Sequence, residues 1–97
     1  MGTLSYSTTD QHILLDQVCS ILEHNLGLEA GDLKRESATL ILGEIPELDS
    51  MAIVTVLNSL ESHFGIIIED DEVNTEMLAT LGNLVDFIVQ KISIDKA

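Results

Sequence analysis

Serine, histidine, one cysteine and a large surplus of carboxylates are the side chains here with chemistry to offer. The most informative is Ser50, in Glu47-Leu48-Asp49-Ser50-Met51, directly ahead of the apolar run from Ala52 to Phe64. To act as a nucleophile in its own right, Ser50 would need a base within hydrogen-bond reach. On a continuous helix His63 lies roughly 20 Å away at about 1.5 Å of rise per residue. His12 and His24 belong to an earlier segment outside any recognisable motif, and there is no Gly-x-Ser-x-Gly elbow. The pattern therefore argues against a serine hydrolase, and the histidines read as surface or interfacial helix positions. A serine that is displayed but not activated suggests an attachment point modified by another enzyme. The plain alternative is an ordinary N-cap or first-turn serine.

The remaining reactive groups are less specific. Cys19 stands alone, which excludes an internal disulfide and a Cys-rich metal site; a small buried apolar role fits it better. The run Glu69-Asp70-Asp71-Glu72, followed by Val73-Asn74, lacks the alternation and the glycine of a calcium-binding loop. It reads as a solvated acidic segment, and no metal site is expected.

These groups must be positioned by a single domain, since 97 residues bury one modest core but not two. The composition is 45% apolar but only 3% aromatic, so the core must come from Leu, Ile and Val, which suits a helical bundle. Thr8, Thr9 and Asp10 offer N-caps for a first helix whose Leu14, Leu15, Val18, Ile21 and Leu22 share a face, with Gly27 as its stop. Residues 28–48 read as a long connection pinned by Leu33, Leu40, Ile41, Leu42, Ile45 and Leu48, with one short turn near Ser37 to Leu42. A strand at Thr39 to Leu42 competes with that turn but lacks a partner strand.

Asp49 or Ser50 then caps a second helix. Its Ile53, Val56, Leu57, Leu60 and Phe64 face inward, Met51, Thr55, Asn58 and Ser62 outward, and Val54 lies at the boundary. Gly65 ends it, and Ile66 to Ile68 is expected to be a packed connection. A short third helix is expected around Asn74 to Thr80, and a fourth from Gly82 or Asn83 with a Leu84, Val85, Ile88, Ile92 stripe. The expected fold is thus all-α, a four-helix bundle over residues 8–92, with a leader at 1–7 and a tail at 93–97.

Seventeen acidic residues against four basic ones give a formal charge of −13. Such a surface repels phosphate backbones and anionic headgroups, so neither nucleic acid nor a membrane is an expected partner. It favours basic docking patches with salt-dependent on-rates. The N-terminus lacks the charged start and apolar stretch of a signal peptide, and Tyr6 breaks the myristoylation pattern that Gly2 begins. No apolar run approaches membrane-spanning length. The chain reads as a cytoplasmic monomer.

Asp49-Ser50-Met51, placed after a Gly/Pro-containing loop and opening an amphipathic helix that ends in Phe64-Gly65, resembles the Asp-Ser-Leu motif of acyl carrier proteins. The resemblance covers nearly the whole chain, from about Thr9 to Ile92. It implies a non-catalytic carrier with a four-helix bundle and a short third helix. Ser50 would receive 4′-phosphopantetheine from coenzyme A through a Mg²⁺-dependent phosphopantetheinyl transferase, with Asp49 assisting the transferase and its Mg²⁺. The arm's thiol would carry acyl groups as thioesters. Ile53, Leu57, Leu60, Ile68 and Leu78 would line an acyl-sheltering cavity, or else form ordinary core.

The sequence departs from carriers of fatty acid synthesis, which place carboxylates along the exposed face of the second helix. Here that face offers Ala52, Thr55, Asn58, Ser59 and Ser62, with Glu61 its one acid. The departure implies a specialised lipid, fatty acid or polyketide-type pathway, with Met51, Val54, Glu47 and Glu61 as partner contacts. Leu48-Asp49-Ser50-Met51 is also similar to D-alanyl and aminoacyl (peptidyl) carriers, which would be served by an aminoacyl-loading enzyme. An unmodified acidic helical interaction module is the reading from another class.

Overall fold

The computed structural model describes the backbone from Thr8 to Lys96 and the side-chain surroundings of residues 12–92. Within that range it contains three α-helices: α1 Thr8–Leu26, α2 Ser50–Phe64 and α3 Leu81–Lys96. The leader assigned to 1–7 lies outside the described residues. Thr9 and Asp10 sit inside the first turn of α1 rather than capping it, and α3 continues past residue 92 to Lys96.

The amphipathic stripes read from the sequence do form the core. Leu15, Val18 and Leu22 of α1, Val56 and Leu60 of α2, and Leu84 and Ile88 of α3 are all buried. Burying each such side chain contributes roughly 1.5–3 kcal/mol. Cys19 is fully buried among them, and desolvation pushes its thiol up to about 11. Gly65 ends α2 at φ 67°, a left-handed conformation that costs glycine little, and its N–H donates to Glu61 O at 2.8 Å.

The expected third helix is not formed. Residues 75–79 are turns. Asn74 Oδ1 accepts Met77 N–H at 2.8 Å, the contact an N-cap makes, but the residues beyond it do not continue into a helix. The carbonyls of Leu78 and Ala79, which a helix would pair with residues four further on, instead accept from Leu42 N–H and Ile41 N–H at 3.1 and 3.0 Å. Five residues are too few to offset the cost of nucleating a helix against those alternatives. Met77 and Leu78 are nevertheless buried.

Of the two readings of residues 37–42, the turn forms and the strand does not. A turn occupies Ser37 and Ala38, and Leu40 forms an isolated antiparallel bridge with Thr80. The missing strand partner is therefore the segment expected to be helical. Extended backbone sends alternate side chains to opposite sides. Hence Ile41 is fully buried, whereas Leu40, expected to pin the loop, is 53% exposed. The same alternation buries Ile66 and leaves Ile67 exposed, so Ile66 to Ile68 packs only on one side. Thr80 Oγ1 accepts Asn83 N–H at 3.1 Å, which places the start of α3 at Leu81 rather than at Gly82 or Asn83. At Gly82 the loop comes so close that an added Cβ would stand 2.9 Å from Ser37 Cβ.

A buried ionic knot ties the first half of the long connection to α1. Glu23 is buried, and its Oε2 accepts the backbone N–H groups of Gly31 and Leu33, each at 3.0 Å. Arg35 donates to both Glu23 oxygens and, through Nε, to Asp16 Oδ1 at 3.1 Å. The Arg35 contact, supported by those N–H donors, holds the Glu23 carboxyl below the usual range. In the acidic run, Glu72 Oε1 accepts Glu69 N–H at 2.9 Å and Glu69 O accepts Glu72 N–H at 3.0 Å across a 3₁₀ turn at Asp70–Glu72. Lys91 reaches Glu72 at 3.0 Å, so this segment is tied to α3 as well as solvated. The Glu69 N–H and then Lys91 hold the Glu72 carboxyl below its usual range.

Candidate functional site

The connection delivers the chain to α2 along a fixed path. Ile45 and Leu48 are buried just ahead of the helix, and Ile41 O accepts the N–H groups of Glu44 and Ile45, each at 3.1 Å. Asp49 follows in an extended conformation and caps α2, its Oδ1 accepting Ala52 N–H at 2.8 Å. The sequence left Asp49 and Ser50 as alternative caps; Asp49 is the cap and Ser50 the first helical residue.

Ser50 is consequently exposed at the positive end of α2. Ala52 N–H is satisfied by the Asp49 side chain and Ile53 N–H by Asp49 O. Among the described residues the N–H groups of Ser50 and Met51 have no acceptor, so the helix start presents two donors beside the hydroxyl. A phosphodiester on Ser50 would fit this end, where unpaired N–H groups and the helix dipole both favour an anion. His63, the histidine of α2, lies at the far end of the helix from Ser50, with its ring 4.7 Å edge-on from that of Phe64. Among the described residues no cluster of His, Cys, Asp and Glu could hold a metal ion. No helix of these residues is long and apolar enough to cross a membrane.

The other residues singled out from the sequence divide into two sets. Met51 and Val54 are 78% and 57% exposed within the first turns of α2, and Glu47 is exposed just before it. Glu61 is half-buried, and its Oε2 accepts Ile68 N–H at 2.7 Å, so one carboxylate oxygen helps close the C-terminal end of α2. Leu60 and Leu78 are buried core, and Ile53, Leu57 and Ile68 pack partly buried against it.

The sequence reading missed a cleft of about 630 Å³ between α1 and α2. Its α2 wall is Thr55, Asn58, Ser59, Ser62 and His63; its α1 wall includes Ser20, His24 and Asn25. The signal for it was the charge-poor outer face of α2. A second cleft, of about 360 Å³, lies beside Gly82 and Thr80. None of the five residues considered for an acyl cavity lines either cleft.

Comparison with known proteins bears directly on this site. Residues 16–88 match the family described as the phosphopantetheine attachment site, a span that includes the start of α2. An acyl carrier protein of Prochlorococcus marinus (strain MIT 9515) is 37% identical over 82 residues, covering 84% of this chain and 95% of that one. One from Tropheryma whipplei (strain Twist) is 29% identical over 76 residues, covering 78% and 87%. The solution NMR structure of a holo acyl carrier protein from Nitrosomonas europaea superposes with a TM-score of 0.72 at 40% identity, over 81% of this chain and 95% of that one. The chain belongs to the acyl carrier protein family, as a carrier that bears a covalent 4′-phosphopantetheine group.

Proposed function

We propose that Ser50 is the residue to which the arm is attached, and that the protein shuttles acyl groups as thioesters without catalysing their chemistry. The observation that carries this reading is the exposed Ser50 hydroxyl at the α2 start, beside the unpaired N–H groups of Ser50 and Met51. In the loading reaction Ser50 Oγ bonds to the phosphorus of coenzyme A that bears the pantetheine, displacing adenosine 3′,5′-bisphosphate. The hydroxyl proton leaves to a base of the transferase. Asp49 keeps the helix end in place through one carboxylate oxygen, and its other oxygen is free to assist the transferase's Mg²⁺. Once attached, the arm supplies the thiol on which acyl thioesters form.

Met51 and Val54, with Glu47 ahead of them, form the contact for the transferase and for acyl-handling enzymes. Glu61 is the weakest of the proposed contacts, because its carboxylate is partly committed to Ile68. Ile53, Leu57, Leu60, Ile68 and Leu78, packed in or against the core, are the side chains that would part to admit an acyl chain. The names of the three relatives favour acyl over aminoacyl cargo. The charge-poor outer face of α2 favours enzymes of a specialised pathway over those that read a carboxylate-lined helix. Intact-mass analysis of Ser50→Ala after exposure to coenzyme A, Mg²⁺ and a transferase tests the attachment.

A further inference from the structure

The cleft between α1 and α2 contrasts with the acidic character of the chain. The chain carries 17 acidic and four basic residues, yet none of the residues lining the cleft is Asp, Glu, Lys or Arg. Hydroxyls and amides from Ser20, Thr55, Asn58 and Ser62 face it beside the apolar Ile21, with His24 and His63 its only ionisable side chains. Its floor is set: Ser59 Oγ donates to Asn25 Oδ1 at 3.0 Å, and Asn25 Nδ2 donates to Ile21 O at 2.8 Å. That pair cross-links the two helices. Thr55 Oγ1 donates to Met51 O at 3.3 Å and Ser20 Oγ accepts from Arg35 at 3.4 Å, which leaves Asn58 and Ser62 as the wall groups with no bond among the described residues.

We infer that this cleft is the resting place of the phosphopantetheine arm, an inference that rests on Ser50 being its attachment point. Three observations fit one occupant. The α2 wall begins at Thr55, about 7.5 Å of helical rise beyond Ser50, and runs about 12 Å further to His63. A tether that short holds the arm at an effective concentration on the order of millimolar, so a weak cleft is enough to retain it. Beyond its phosphate the arm is uncharged: two amides, a hydroxyl, a dimethyl carbon and a terminal thiol. A lining of uncharged donors and acceptors with some apolar surface matches those groups, whereas a basic partner would find no carboxylate there to engage. The replacement of carboxylates by Thr, Asn and Ser along α2 then has a positive role. It builds a surface that holds the arm against the carrier until a partner enzyme withdraws it.

The test uses ¹³C,¹⁵N-labelled protein loaded with unlabelled arm from coenzyme A, with intact mass recorded before isotope-filtered NOE measurement. The expected result is a set of cross-peaks from the arm's methyl and amide protons to Thr55, Asn58 and Ser62. A double variant, Asn58→Ala with Ser62→Ala, changes two exposed positions and is expected to load to the same mass while losing those cross-peaks. Full loading with cross-peaks confined to Ser50 and Met51, or cross-peaks that persist in the double variant, would overturn the inference and leave the attachment site standing. Absence of the mass increase in the wild type would overturn the attachment site itself, and the inference with it.

Discussion

Asp49 Oδ1 accepts the Ala52 N–H at 2.8 Å, so the residue beside Ser50 is the one that fixes the helix end on which Ser50 stands. The aspartate of the Asp-Ser-Met motif thus has a structural task in addition to the proposed assistance to the transferase. The two tasks separate by substitution. Asparagine caps helices as well as aspartate does, whereas alanine loses about 1 kcal/mol. Asp49→Asn is expected to keep its stability within about 0.5 kcal/mol of wild type and to load more slowly. Asp49→Ala is expected to lose both. Denaturant unfolding, run beside a time course of mass change, reads the two effects independently. Wild-type loading of the asparagine variant would remove the charge from the mechanism.

The Glu23 knot sets an acid limit on the fold. Its carboxyl is held below the usual range, chiefly by Arg35 and then by the N–H groups of Leu33 and Gly31. A depressed folded-state pKa contributes stability that is present above the unfolded value, about 4.3, and lost as pH falls through the folded value. Glu23→Gln keeps the shape but cannot satisfy Arg35 as an ion. It is expected to cost about 3 kcal/mol near pH 7, the low end for breaking a buried pair because Arg35 is partly exposed. The deficit relative to wild type should shrink below about pH 4. Urea midpoints at pH 7 and pH 3.5 check both statements, and a pH-independent deficit would contradict them.

How much of this was legible in the sequence follows from which interactions are local. The stripes of α1, α2 and α3 and the exposure of Ser50 are properties of single helices, so spacing alone revealed them. The bridge from Leu40 to Thr80 joins segments far apart in the chain, and it melts a helix that local apolar content favoured. Leu40 and Ile67 face outward because extended backbone alternates, a period that short apolar runs do not display. Glu23 did leave a trace. It falls one turn after Cys19 and beside Leu22 on the buried face, where a carboxylate requires a partner, and few basic residues were available to serve. The α1–α2 cleft needed both helices in place before its uncharged walls became a single feature.

Met51 and Val54 lie within the first turns of α2 with most of their surface in solvent. Truncating either side chain removes little buried area, so Met51→Ala and Val54→Ala are expected to keep the melting temperature nearly unchanged. Each is expected to slow modification by the cognate transferase severalfold. An apolar contact of this kind should lose less rate between low and high salt than rows of carboxylates would. Unchanged rates would take both residues out of the docking surface.

The most direct measurement is intact mass of wild type and Ser50→Ala after incubation with coenzyme A, Mg²⁺ and a broad-specificity transferase. Asp49 still caps the helix in the variant, and alanine suits a first-turn position, so far-UV circular dichroism should show a folded protein. The expected result is one phosphopantetheine added to the wild type and none to Ser50→Ala. Addition to the folded alanine variant would contradict attachment at Ser50.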